Sequence, residues 1–229
     1  MKKKTLHEHS KNYRTHIEPY AELKKAEDRK GAVLSFLKKE VKNKIVLDLG
    51  CGEGTYAKVL APLSRSYHAL DSSDAQLKKA QARCRGMKNV HFLHSSGEEI
   101  DLPNESMNVV ICSWVISVIK GRRRKSKVLT EAERVLKNGG KMIVVENDWQ
   151  GEFEKMREHP IRTRRFNEWL ISKGLKVSKK ITTYFEFSSY TLARETFDQI
   201  WGSRISNKVQ SKKVEHKLVI FTRSKRAAR

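Results

Sequence analysis

The stretch Val46-Leu-Asp-Leu-Gly-Cys-Gly-Glu-Gly54 restricts the fold of this chain more than any other. An apolar, strand-like run reaches Leu49, glycines follow at 50, 52 and 54, and helix-forming residues come after them. A Gly-rich turn between a strand and a helix lets backbone N–H groups approach a ligand, because glycine accepts the conformations such a turn needs. Dinucleotide sites want G-x-G-x-x-G, with the third glycine at position 55. Position 55 is Thr55 and the third glycine is Gly54, so the spacing is G-x-G-x-G, with Asp48 two residues before it. A glycine turn of this kind can also pack without a ligand, and the rest of the chain decides between the two.

Strand-like and helix-like segments alternate, which implies βαβ units and a parallel sheet. Strands are expected at Lys44 to Leu49, Tyr67 to Leu70, Asn89 to Leu93 and Met107 to Cys112, the last a continuous apolar run suited to burial on both faces. Helices are expected at Thr55 to Leu63, Asp74 to Cys84 and Lys125 to Leu136, the last with an apolar stripe at Val128, Leu129, Ala132, Val135 and Leu136. Asn138-Gly139-Gly140 should stop that helix and lead into a strand from Lys141 to Val145. Beyond Glu146 the alternation loosens. Ile161 to Lys173 and Leu192 to Trp201 read as helices, Val177 to Phe187 and Leu218 to Thr222 as strands, and Tyr20 to Glu27 and Ala32 to Val41 as helices ahead of the core.

The loop with its preceding Val46-Leu47 resembles the first motif of class I S-adenosylmethionine-dependent methyltransferases. The likeness runs from about Ile45 to Gly140 and is greatest to the type 11 group, which includes ubiquinone/menaquinone-biosynthesis-like enzymes. It implies an α/β, Rossmann-like, seven-stranded and mostly parallel sheet with helices on both faces and an antiparallel last strand. A single domain is expected: an N-terminal helical cap (1–43), a cofactor-binding core (44–148), a substrate-side part (149–222) and a basic tail (223–229).

The resemblance also implies S-adenosyl-L-methionine as cofactor, with S-adenosyl-L-homocysteine as product, held by Asp48, Gly50, Cys51, Gly52 and Gly54. Asp71, closing the second strand, reads as the acceptor for both ribose hydroxyls or as a helix N-cap, with Ser72 and Ser73 competing for the cap. Ser95-Ser-Gly-Glu-Glu-Ile-Asp-Leu-Pro103 resembles the family's G-D-A-E-x-L-P segment, which puts Ser96 where an acid contacts the adenine amine and Gly97 where an amide meets the ring. Glu98 is the nearest acid able to compensate. Asn108 replaces the aspartate of the family's D-V-V strand, and Ser113 and Trp114 stand at that strand's carboxyl end, where open α/β sheets bind ligands. Trp114 reads equally as a packed core residue. Glu133-Arg-Val-Leu-Lys-Asn-Gly-Gly140 resembles a structural turn of the family.

Methyl transfer from a sulfonium needs chiefly positioning, so no catalytic residue is obligatory. For an acceptor that must lose a proton, candidate bases are Glu146 and Asp148, with His9 and Tyr13 from an N-terminal lid; solvated or capping roles fit all four as well. No N-P-P-Y or D-P-P-Y follows the fourth strand, and Ile111-Cys-Ser-Trp114 lacks the Pro-Cys pair of cytosine-C5 enzymes, which argues against DNA bases. Cys112 reads as a small buried hydrophobe.

Three cysteines without CxxC spacing argue against a disulfide framework and a zinc site, and no metal is expected; His7-x-His9 reads as tail. The longest apolar run, Val109 to Ile119, is about half of what a membrane crossing needs, and the first residues lack the apolar core of a secretory signal, so a cytoplasmic protein is expected. The net charge of +22 attracts polyanions, RNA especially. Its densest run within the fold is Lys120-Gly-Arg-Arg-Arg-Lys125. A small-molecule acceptor is the leading expectation, with RNA methylation through Arg122-Arg123-Arg124, or a cofactor-binding module without catalysis, as the alternatives. Oligomeric state is left open.

Overall fold

A computed structural model describes residues 17–28 and 31–226. His9 and Tyr13 lie outside the described residues. Seven strands form one sheet in the order β3-β2-β1-β4-β5-β7-β6: β1 Ile45–Leu49, β2 Ser66–Asp71, β3 Val90–His94, β4 Met107–Ser113, β5 Leu136–Asn147, β6 Lys176–Glu186 and β7 Lys213–Ser224. The pairs β1–β2, β1–β4, β2–β3 and β4–β5 are parallel, and the last strands run antiparallel. This is the expected Rossmann-like class.

The chain divides into two compact units. The described part of one covers 33–145, 174–178 and 220–226; that of the other covers 17–28, 31–32, 146–173 and 179–219.

In the first unit the centre is strand. Val46, Leu47 and Leu49 of β1, Val109 to Cys112 of β4 and Met142 to Val145 of β5 are all buried, as strands covered on both faces require. Its helices are α2 (Ala32–Val41), α3 (Thr55–Leu60, continued by a 3-10 turn through Pro62), α4 (Asp74–Arg83) and α5 (Arg122–Val135). Helix α5 starts three residues before the expected Lys125, inside the basic run, and buries Val128, Leu129, Ala132 and Val135 on one stripe. Asn138-Gly139-Gly140 does not stop it. Leu136 is already extended (φ −70°, ψ 136°) and pairs with Met107, and the glycines form an irregularity inside β5. The chain end supplies the partners there: Gly139 N donates to Lys225 O, Lys225 N to Gly140 O, and Lys225 Nζ to Leu136 O. Arg223 pairs with Glu133 at 2.7 Å, so the basic end is tied down as far as Lys225.

The second unit contains α1 (Ile17–Ala26), α6 (Glu152–Met156), α7 (Pro160–Ser172), α8 (Tyr190–Trp201) and α9 (Ser203–Ser206). Helix α8 is capped by Ser189, whose hydroxyl accepts from Leu192 N, and it buries Ala193, Thr196, Phe197 and Ile200. Phe153, Phe185, Phe187 and Phe197 pack edge to face with Leu23 and Ala26 around them. Trp201 packs against this cluster part-buried, while Trp149, Phe166, Trp169 and Tyr184 are only partly covered and Tyr190 is exposed.

Candidate functional site

The glycine loop leaves β1 with Gly50, Gly52 and Gly54 all in the left-handed region, at φ 76°, 55° and 77°. L side chains disfavour that region, so the spacing of the motif is a backbone requirement. A Cβ on Gly50 would come 2.3 Å from the Val115 side chain, and one on Gly54 would come 3.0 Å from the Ala80 backbone of α4. The loop is tied to β2 by Gly50 N and Cys51 N, which both donate to Leu70 O (2.7 and 2.9 Å).

Asp71 completes the turn. Its Oδ2 accepts from Gly52 N and its Oδ1 from Ser73 N, each at 2.9 Å. Ser73, not Asp71, occupies the N-cap position of α4, and Ser72 is exposed beside it. Each carboxylate oxygen has two lone-pair directions, so Asp71 retains acceptor capacity for a diol while holding the loop.

Asp48 is buried and accepts from Tyr67 Oη at 2.9 Å. A buried carboxylate needs such donors. Burial first, then the Asp48 charge, pushes the Tyr67 phenol well up, so it stays protonated and donates. Nothing in the sequence analysis singled out Tyr67; the available signal was a tyrosine within an apolar strand predicted to lie beside the acid-bearing one. Replacing Tyr67 by phenylalanine removes that donor while keeping the ring. Stability is expected to fall by about 1–3 kcal/mol in urea unfolding, and an unchanged midpoint would show that other groups suffice for Asp48. Cys51 is also buried, with its thiol raised by burial and then by Asp48 and Asp71, so it is a neutral packing group.

After β3, Ser96 Oγ accepts from Glu98 N (3.2 Å) and Ser96 O accepts from Glu99 N (3.0 Å), so Ser96 shapes a tight turn. Gly97 lies against the end of β1: a Cβ there would meet Leu49 Cδ2 at 3.0 Å. The Glu98 carboxylate accepts from Arg124 Nε at 2.8 Å, and that contact holds it below the usual carboxylate range. The acid expected to compensate for Ser96 is thus already committed to an arginine of α5. A surface depression of about 420 Å³ is lined by Ser95, Ser96, Glu99, Ile100 and Asp101 and does not include the glycine loop.

At the exit of β4, Ser113 Oγ is buried, with no hydrogen-bond partner among the described residues. Trp114 follows at φ 54°, an unusual conformation for a bulky residue, and its N–H donates to Val145 O at 2.9 Å. Strain of this kind persists only where surrounding contacts enforce it, and it gathers at functional sites. Asn108, the departure earlier in β4, accepts from Ile45 N at 3.0 Å, so its amide oxygen anchors the start of β1 without needing a charge.

In the second unit Glu146 and Asp148 are both buried. Asp148 accepts from Gln150 N (3.3 Å), pairs with Lys180 (3.1 Å) and donates its own N–H to Lys217 O, which is a turn-forming arrangement. Between them, Asn147 joins a polar network that the sequence did not reveal. Its side-chain amide donates to Glu154, which also accepts from Arg157 (3.0 Å) and Thr163 (2.6 Å). Its oxygen faces His216 Nε2 at 3.1 Å, and the imidazole stacks on Phe185 at 4.4 Å. Among the described residues no group of three His, Cys, Asp or Glu side chains is placed to hold a metal ion.

The fold and its loop define a class: open α/β proteins that hold a nucleoside-bearing cofactor at the carboxyl ends of β1, β2 and β4. A family model described as a methyltransferase domain matches residues 40–202, and the chain belongs to that family, within the class I S-adenosylmethionine-dependent methyltransferases. An uncharacterized methyltransferase of Bacillus subtilis, YcgJ, is 27% identical over 104 residues, covering 44% of this chain and 40% of that protein. Demethylmenaquinone methyltransferase of Tropheryma whipplei is 30% identical over 104 residues, covering 44% and 41%. The chain thus spans about two fifths of the length of these curated relatives. The crystal structure of YcgJ matches with a TM-score of 0.60 at 16% identity, covering 84% of this chain and 97% of that one. The N-methyltransferase NodS of Bradyrhizobium japonicum, crystallised with S-adenosyl-L-homocysteine, matches with a TM-score of 0.57 at 13% identity, covering 85% of each. These two likenesses show the fold.

Proposed function

We propose that this chain binds S-adenosylmethionine through the Gly50–Gly54 loop and transfers its methyl group to a small-molecule acceptor. The observation that carries the reading is the joining of the loop to Asp71: three left-handed glycines set the turn, and the carboxylate ending β2 fastens it through Gly52. The residues present fit the cofactor. Asp71 would accept from the ribose hydroxyls, the Ser96–Glu98 turn would border the adenine, and Asp48 would hold the methionine side of the loop. The buried Ser113 Oγ, unpartnered among the described residues, and the strained Trp114 would face the reacting end.

When bound, the cofactor supplies a methyl group already activated on a sulfonium. The chain's own residues then have to orient the two partners and exclude water rather than activate a leaving group. An acceptor that must lose a proton would need a base; Glu146 and Asp148 remain the described candidates, with Asp148 partly committed to Lys180, and His9 and Tyr13 are the others. A small acceptor is supported by the relatives whose names specify quinone-biosynthesis methylation, in Tropheryma whipplei and Vibrio vulnificus.

The test is calorimetric titration with S-adenosylhomocysteine, followed by transfer of a labelled methyl group into a lysate separated into metabolite, protein and RNA fractions. Binding and label in the metabolite fraction are the expected results. No binding at about 1 mM refutes cofactor use, and label confined to RNA or protein refutes the small acceptor.

A further inference from the structure

Helix α4 buries three residues, Gln76, Leu77 and Ala80. Two are apolar and the third is an amide. Gln76 is only 9% exposed, and its Oε1 is buried with no hydrogen-bond donor among the described residues. A buried amide oxygen in that condition gives up its hydration and gains nothing from the fold in return. An apolar side chain of the same length would fill the position without that cost.

Contacts on both sides of Gln76 fix where it stands. One turn later on the same face of α4, Ala80 packs on the glycine loop, where a Cβ on Gly54 would come 2.9 Å from Ala80 Cβ. One turn earlier, Ser73 O accepts from Gln76 N at 3.1 Å, and Ser73 N donates to Asp71 Oδ1 at 2.9 Å. The other oxygen of that carboxylate accepts from Gly52 N. Asp71 O in turn accepts from Ser95 N at 3.3 Å, which brings the turn that would border the adenine to the same point. Helical side chains lean toward the N-terminus of their helix, so the Gln76 amide reaches back over this junction of Gly52, Asp71 and Ser95.

The nucleoside end of the cofactor would bring three kinds of donor there: two ribose hydroxyls and the exocyclic amine of adenine. Asp71 has acceptor capacity for the hydroxyls. The amine has no acid to receive it, because Ser96 takes Glu98 N at 3.2 Å and Glu98 is held by Arg124. We propose that Gln76 Oε1 accepts from this amine, so that a neutral amide of α4 selects the nucleobase; this rests on the methyltransferase reading above. An amide oxygen suits an uncharged aromatic amine, and glutamine recognises adenine through the same N–H···O contact in nucleic-acid complexes.

The experiment titrates the full chain with S-adenosylhomocysteine and with its analogue carrying hydrogen in place of the 6-amino group. It compares the parent with Gln76→Met, which keeps the length of the side chain and removes the amide. The parent is expected to bind S-adenosylhomocysteine about tenfold more tightly than the analogue, and Gln76→Met to bind the two within about twofold of each other. Thermal unfolding without ligand supplies a readout independent of binding. There Gln76→Met should melt at the temperature of the parent or above it, since it removes an acceptor that the fold leaves without a donor. The inference is overturned if the parent does not discriminate between the two ligands or if the preference survives in Gln76→Met. It is overturned equally if the ligand-free variant melts more than about 3 °C below the parent, because Oε1 then serves the fold. Failure of S-adenosylhomocysteine to bind the parent would instead sink the methyltransferase reading, and this inference with it.

Discussion

Gly54→Ala is expected to destabilise the protein by about 2–5 kcal/mol. Two costs combine. At φ 77° an L residue is disfavoured by about 1–2 kcal/mol relative to glycine. The new Cβ would also stand 2.9 Å from Ala80 Cβ and 3.0 Å from Ala80 Cα, and the second of these is backbone that cannot swing aside. Overpacking of this kind typically adds about 1–3 kcal/mol. Gly86→Ala is the matched control, because Gly86 has φ 84° with nothing within 4 Å of its Cβ position, so it meets the first cost alone. Thermal unfolding should show a fall for Gly54→Ala of about 4–20 °C, and a clearly smaller one for Gly86→Ala. Equal losses would mean that helix α3 does not need its close approach to α4. Gly50 meets a closer contact still, 2.3 Å from Cγ2 of Val115 with Cγ1 and Cβ behind it at 3.3 and 3.4 Å, and a β-branched side chain has little rotamer freedom with which to withdraw.

That distinction among three glycines bears on what the sequence disclosed. Spacing alone marks all three as one ligand-binding motif, yet they have separate tasks: Gly50 admits Val115, Gly52 donates to Asp71, and Gly54 packs on Ala80. The parallel core was readable because strands buried on both faces, such as Met107–Ser113, leave continuous apolar runs. Helices α6 and α9 escaped notice because elements of four or five residues show no resolvable periodicity. The stop expected at Asn138-Gly139-Gly140 failed for a different reason: its backbone groups are satisfied by Lys225, a partner 85 or more residues away that no local signal predicts.

The site shows the same division. The spacing pointed to the glycines and the strand-ending Asp71, and these residues do shape the turn: the glycines are left-handed and Asp71 accepts from Gly52 N. It did not point to residues that answer to pairing across elements, among them Tyr67 on Asp48 and the His216–Asn147–Glu154 network. Glu98 was noticed for its charge, but its commitment to Arg124, 26 positions later, belongs to the fold. Asn108 looked like a defect when compared with the family's aspartate, whereas the bond it makes to Ile45 N needs only an acceptor oxygen.

Asp71→Ala is expected to weaken S-adenosylhomocysteine binding by about tenfold or more, and also to lower stability by about 1–3 kcal/mol, since two backbone amides lose their acceptor. Loss of affinity by itself therefore cannot separate a ribose contact from a misplaced loop. The separation comes from a cycle with the 2′-deoxy analogue of the ligand. If Asp71 accepts from the ribose, the parent protein should prefer S-adenosylhomocysteine over the deoxy analogue by about tenfold, and Asp71→Ala should abolish most of that preference. If Asp71 only fastens Gly52, the variant should lose affinity for both ligands equally and keep the preference intact. Asp71→Asn sharpens the comparison: its one amide oxygen can serve Gly52 or Ser73 but not both, and its NH2 group opposes the other donor. It should thus unfold as easily as the alanine variant despite its shape, because what this position supplies to the loop is a pair of acceptors.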